Sequence, residues 1–131
     1  MTLQQLLDRL AVALHSTTLL RDSQWAHDMC VLSRSIHVEV WEIRPNLQYV
    51  RDRVLPLLQK TSKAVNAVPR TGEYGQLVGA FAENIAARAN NIANNYLNGK
   101  PSDFLPNARL QDVPDKKITR EELAAQPQGS V

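Results

Sequence analysis

The sequence predicts an all-α fold: an antiparallel four-helix bundle over residues 1–99, with an extended C-terminal arm over 100–131. Three observations carry this. Apolar residues recur at steps of three and four through most of the first 99 positions, the spacing that lines one face of a helix. Aromatic residues make up only 5% of a chain that is 44% hydrophobic, so the interior has to be aliphatic and alanine-rich. Short connections between the helix signals favour antiparallel neighbours. At 131 residues the chain is one domain by size, with room for a single core.

The first helix opens at Thr2, where Gln5 completes a capping box that satisfies two backbone N–H groups. Leu3, Leu6, Leu7, Leu10 and Leu14 form its apolar face, and it frays near Thr17–Thr18 or continues to Leu20. Asp22 or Ser23 caps the second helix, whose stripe is Trp25, Met29, Leu32, Ile36, Val40 and Ile43. Ile36, Val38 and Val40 also alternate with polar neighbours, as in a half-buried strand. The helical period starts earlier and runs through them, so a helix is expected up to Pro45.

Asn46 caps a third helix with Leu47, Val50, Val54, Leu58, Thr61, Val65 and Val68 on one side. Pro56 falls opposite that stripe and removes one backbone donor. Either the helix bends around its core there, or it splits with Pro56 in the first turn of the second piece. Pro69 and Gly72 punctuate the chain before a fourth helix over 74–98, which Gly99 and Pro101 stop. Over residues 100–117, three prolines and the loss of period imply an extended segment. Phe104, Leu105 and Leu110 are spaced as docking points, and a capping box at Thr119 and Glu122 predicts a short helix over 120–126.

The fourth helix carries the functional expectation. It bears only two charges, Glu83 and Arg88. Tyr74, Val78, Phe81, Ile85, Ala89, Ile92 and Tyr96 form its apolar stripe. Small residues Gly75, Gly79, Ala82, Ala86 and Ala93 run beside it, and Asn84, Asn91, Asn95 and Asn98 lie on the other flank. Water-facing helices usually carry Lys and Glu on the outer side, so this helix is expected to be covered on most of its circumference. The expectation is a non-enzymatic structural or interaction protein, a subunit of a larger assembly such as a virion or a multiprotein complex. It would associate with itself or a partner protein through Gly75, Gly79, Ala82, Asn84, Ala86, Asn91, Ala93 and Asn95, together with Phe104, Leu105 and Leu110 of the arm.

Net charge is +2, too small to argue for nucleic acid by itself. The segment 44–70 is locally basic, however, and Arg51, Arg53, Lys60 and Lys63 offer an alternative phosphate-binding set. The lone Cys30 excludes an intramolecular disulfide and suits a reducing compartment. The N-terminal MTLQQLLDRL lacks the basic start and apolar run of a signal peptide, and no stretch is long enough to span a membrane. A cytoplasmic location, or a virion, is expected.

No cofactor, metal or catalytic site is predicted. His27, Cys30, Arg34 and His37 share one side of the second helix, opposite its apolar stripe, and read as a polar outer face. His27 and Cys30 are one turn apart, but His37 lies about 10 Å further along the axis, too far to complete a zinc site with them. Arg21 and His27 have the Arg-x5-His spacing that resembles HEPN-type ribonucleases, which implies a helical fold and attack at the RNA 2′-hydroxyl. Asp22 stands where that family usually has asparagine, and the pair lies early in the chain. NNIANNYLNGKP (90–101) is similar to the final helix of D-2-hydroxyacid dehydrogenases. With no glycine-rich strand–turn–helix element to cradle a pyrophosphate, that likeness implies no dinucleotide.

Overall fold

The computed structural model describes residues 1–97, and every regular element among them is helical. Helix α1 (Leu3–His15) begins as the capping box requires. Thr2 N–H donates to Gln5 Oε1 at 2.9 Å, and Gln5 N–H donates to Thr2 Oγ1 at 3.1 Å. All five of its predicted leucines are buried. Helix α2 (Ser23–Ile43) is capped by Asp22, which accepts from Trp25 N–H at 3.0 Å. It continues unbroken through the stretch that also alternates like a strand. It ends at Arg44, held in the left-handed region (φ 48°) ahead of Pro45. Proline disfavours right-handed helical geometry in the residue before it, which is why the turn falls here.

This sharp turn corrects two predicted core positions. Ile43 and Leu47, on either side of it, are 53% and 39% exposed. The helical stripe stops where the backbone changes direction, so side chains flanking the corner project outward.

Asn46 caps a helical path made of α3 (Leu47–Tyr49), a π-helical turn (Val50–Val54) and α4 (Leu55–Asn66). The wide turn has a local cause. Pro56 has no N–H and its ring crowds the carbonyl four residues back, so the regular ladder cannot pass through it. Leu55 N–H instead reaches the Val50 carbonyl, a five-residue step. Pro56 is exposed and sits in the first turn of α4, and the helical path passes it without a break, widening at the π turn. Val50, Val54, Leu58, Thr61, Val65 and Val68 all remain buried across the irregularity.

The link to the last helix is tight. Gly72 adopts φ 80°, and a Cβ on Gly75 would lie 2.8 Å from both the carbonyl carbon and the oxygen of Arg70. Only glycine fits there without moving backbone. A 3-10 turn (Gly75–Leu77) leads into α5 (Val78–Leu97), so the α-helix starts four residues later than the sequence suggests.

Helix α5 packs on both α4 and α2, while α1 packs on α2 and α4. The chain directions follow from paired contacts. Ser62 Oγ donates to the Ala82 carbonyl at 2.9 Å, and Arg70, beyond the end of α4, lies against Gly75 and Gly79, so α4 and α5 are antiparallel. Across α2 and α5 the pairs are Ser23 with Tyr74, Cys30 with Asn84, and His37 with Asn91. Both numbers rise together. These two helices, which are not consecutive in the chain, run in the same direction. Likewise Tyr49 faces Gln4 while Asp52–Lys60 faces Leu7–Ala11, so α1 runs alongside α3–α4 in the same direction. No helix among the described residues is long and apolar enough to cross a membrane.

Candidate functional site

The apolar stripe of α5 is interior: Tyr74, Val78, Phe81, Ile85, Ala89 and Ile92 are buried, and Tyr96 is half-buried. Its flanks divide in a way that corrects part of the predicted interface. Gly75, Ala82, Asn84 and Asn95 are buried within this chain. Gly75 allows the close pass of Arg70, and Ala82 lies where α4 approaches near enough for Ser62 to bond its carbonyl. Their small size serves packing inside the fold, and these four side chains are not displayed to a partner. Gly79, Ala86, Asn91 and Ala93 are half-buried. Phe104, Leu105, Leu110, the rest of the arm, Asn98 and the stop at Gly99 and Pro101 lie outside the described residues.

What the 3-10 turn and α5 do turn outward is a stripe of Gln76, Gly79, Glu83, Ala86, Ala87, Asn90, Ala93 and Asn94, each exposed or half-buried. Glu83 is the only charge on it. For an outer helix face this is unusually small and uncharged.

A second feature lies between α2 and α5. The stripe read as a polar outer face of α2 is instead mostly interior: His27, Cys30 and His37 are buried, and only Arg34 is exposed. Cys30 Sγ approaches Asn84 Oδ1 at 3.7 Å. His37 Nε2 lies 2.9 Å from Asn91 Oδ1, which can only accept, so the imidazole donates through Nε2–H. Asn95 Nδ2 donates to the Asn91 carbonyl at 2.7 Å, while its Oδ1 has no hydrogen-bond partner among the described residues. The Arg88 guanidinium sits in the same seam at 1% exposure. Burying a cation costs several kcal/mol before its interactions offset the loss of water.

The electrostatics match this setting. Burial lowers the pKa of His37 below its ordinary 6.5. Arg88 and Arg34 push the same way, and the Asn91 hydrogen bond opposes them. The ring is therefore neutral at pH 7. Burial raises the Tyr96 phenol above its usual value, with Arg44 acting in the opposite sense.

Sequence reasoning marked the Asn84, Arg88, Asn91, Asn95 row as one that bonds a neighbouring helix or is wet, but placed its α2 partner row outside, although a signal for the pairing exists. On α2 the polar residues fall at 27, 30, 34 and 37; on α5 they fall at 84, 88, 91 and 95. Two polar stripes of the same period suit each other across a helix–helix contact.

The ribonuclease-like pair is not gathered at one exposed point. His27 is 4% exposed, stacked on Tyr74 with ring centroids 4.5 Å apart and with Phe81 edge-on at 5.7 Å. Arg21 donates to the Leu14 carbonyl and lies over the Trp25 ring at 5.0 Å. Among the described residues no three His, Cys, Asp or Glu side chains are grouped so as to hold a metal ion.

The basic set is exposed: Arg51, Arg53, Lys60 and Lys63 all face outward. Arg53 and Lys60, however, line a cleft of about 300 Å³ together with Asp8 and Asp52, over a floor that includes Leu7, Ala11 and Leu57. Two carboxylates in the same cleft offset two of the four cations. Compared with family models, with curated proteins and with solved structures, the chain has no significant match to any of them.

Proposed function

We propose that the four long helices form a closed bundle acting as a non-enzymatic interaction subunit of a larger assembly, in the cytoplasm or in a virion. The contact is the outward face of α5 together with the C-terminal arm. The observation carrying this reading is that outer stripe, with Glu83 as its single charge. Docking it against another chain removes little hydration from charged groups, and the small side chains let a partner backbone come close.

Magnitudes decide how much more surface is needed. A helix of 20 residues presents a strip about 30 Å long and roughly 10 Å wide, or about 300 Å². Stable interfaces bury about 800 Å² on each partner. At about 25 cal/mol/Å², the strip contributes at most about 7 kcal/mol on this chain, against an association cost of about 4–15 kcal/mol. The arm has to contribute the remainder, which is why both are assigned to the contact.

Light scattering on the full chain at two widely spaced concentrations and two salt levels tests this. Association that grows with concentration and weakens in a variant carrying Ala86→Glu and Asn90→Glu, with cooperative melting retained, supports it. A chain that stays monomeric throughout refutes self-association.

A second reading rests on the exposure of Arg51, Arg53, Lys60 and Lys63. If these side chains hold phosphates, affinity for a nucleic-acid duplex falls steeply with salt, and Lys60→Gln flattens that slope by about one unit.

A further inference from the structure

The end of the bundle at which α2 finishes carries an apolar corner. Ile43 is 53% and Leu47 39% exposed there, on either side of the left-handed turn at Arg44. The Arg44 guanidinium stays at the corner, 6.0 Å from the centroid of the half-buried Trp41 ring. Met1 is exposed at the same end, because the Tyr49 hydroxyl on Gln4 sets the start of α1 beside α3. Among the described residues the other large apolar side chains this exposed are Val12, Leu19 and Leu20, which lie toward the opposite end.

The C-terminal segment starts from this same end. The Cys30–Asn84 and His37–Asn91 contacts keep one offset between α2 and α5, which sets Leu97, the last described residue of α5, level with Ile43. Packed helices lie about 10 Å apart. From Leu97 to Phe104 the chain advances seven residues, enough to span about 24 Å when extended. Phe104 and Leu105 are the first large apolar pair after Leu97, and Pro101 and Pro106 bracket them. Proline narrows the conformations of a free chain, so holding such a segment costs less entropy. Asp103, next to the pair, is opposite in sign to Arg44. We propose that segment 101–106 of the same chain covers this corner, with Phe104 and Leu105 on Ile43 and Leu47 and the Asp103 carboxylate toward Arg44. A tether this short presents the pair at an effective concentration of about millimolar, above that of a second copy in dilute solution. The docking needs no second chain, so it goes beyond the assembly proposed above and stands apart from it. It fixes where the arm begins, and leaves Leu110 and the residues after it to reach a partner.

Limited chymotrypsin digestion of the full chain at low micromolar concentration, with fragments identified by mass, reads the Phe104–Leu105 bond directly. Cleavage follows the undocked fraction, so it is expected to run about tenfold faster in a variant carrying Ile43→Ser and Leu47→Ser. Both replaced side chains are exposed, and the helical circular dichroism of the variant should match that of the unaltered chain. Equal cleavage rates in the two proteins overturn the proposal. So does protection that appears only as concentration rises, which would give the corner to the arm of a second copy. Ala86→Glu with Asn90→Glu, the variant that tests the assembly, should leave this cleavage unchanged, so either idea can fail alone. If the Ile43→Ser, Leu47→Ser protein does not fold, proton Overhauser contacts in the dilute unaltered chain decide. Contacts between the Phe104 ring and the Ile43 and Leu47 methyl groups support the docking, and their absence refutes it.

Discussion

Gly75 and Gly79 are four residues apart and lie on the same small-residue stripe, yet the structure predicts opposite outcomes when each becomes alanine. At Gly75 the added methyl would stand 2.8 Å from backbone atoms of Arg70, a separation real Cβ atoms do not tolerate. Neither partner is a flexible side-chain end, so the relief has to come from the backbone of the 69–75 turn. Overpacking of this kind costs about 1–3 kcal/mol, partly offset by the lower chain entropy of unfolded alanine, about 0.4–1 kcal/mol. The net is a loss of about 1–2 kcal/mol, which lowers Tm by roughly 5–10 °C for a folded unit of this size. At Gly79 the nearest atom to the new carbon is the Arg70 guanidinium at 4.0 Å, ordinary contact distance. Alanine there gains helix propensity of about 0.5–1 kcal/mol and raises Tm by roughly 2–6 °C. Thermal melting by circular dichroism at fixed concentration measures both. Equal shifts, or a stabilised Gly75→Ala, would refute the reading of the 70–75 approach. Gly79→Ala also bears on function. A methyl added to the outer stripe should weaken association even as the single chain becomes more stable, and the two effects separate in light scattering.

Other expectations follow from single positions. Thr2→Ala removes the hydroxyl that accepts from Gln5 N–H and should cost about 1 kcal/mol in urea unfolding, with the m-value unchanged. Leu10, fully buried, should lose about 2–5 kcal/mol on conversion to alanine. Val12, 68% exposed two residues away, should change stability by less than about 0.5 kcal/mol. Ser62→Ala deletes the hydroxyl that bonds the Ala82 carbonyl and should cost about 1 kcal/mol, read as a lower urea midpoint. Global stability should decline below pH 6.5 as His37 is forced to charge, and His37→Gln should flatten that decline in chemical denaturation.

The sequence and the structure agree wherever one local rule acts alone. The capping box at Thr2 and Gln5, the caps at Asp22 and Asn46, and the leucine stripe of α1 are all set by neighbours within one turn. The stripe through Val50, Val54, Leu58 and Val65 was equally legible, because burial constrains side-chain direction more than it constrains backbone pitch. The π turn was not, although Pro56 marked the place. The proline predicts a defect, but only packing on both sides decides whether the helix bends, breaks or widens. Ile43 and Leu47 were misread because period continues in the sequence where the chain itself turns at Arg44. The polar row on α2 failed for a different reason. Period shows that His27, Cys30 and His37 share a face, but nothing in one helix tells whether that face meets water or a second polar row. The same limit explains the candidate site. The small residues of α5 did signal close approach. What approaches Gly75 and Ala82, the Arg70 backbone and the Ser62 hydroxyl, belongs to this chain.

The parallel course of α2 beside α5, matched by α1 beside α3–α4, has an electrical consequence. Each helix carries about half a positive charge at its start and half a negative charge at its finish. With like-directed neighbours, each end of the molecule is divided into a positive half and a negative half, instead of alternating in a checkerboard. At the finish of α2 a carbonyl-rich terminus stands beside the last described turns of α5, and Arg44 follows directly on it. Two such ends brought face to face attract in one rotational setting and repel in the opposite one.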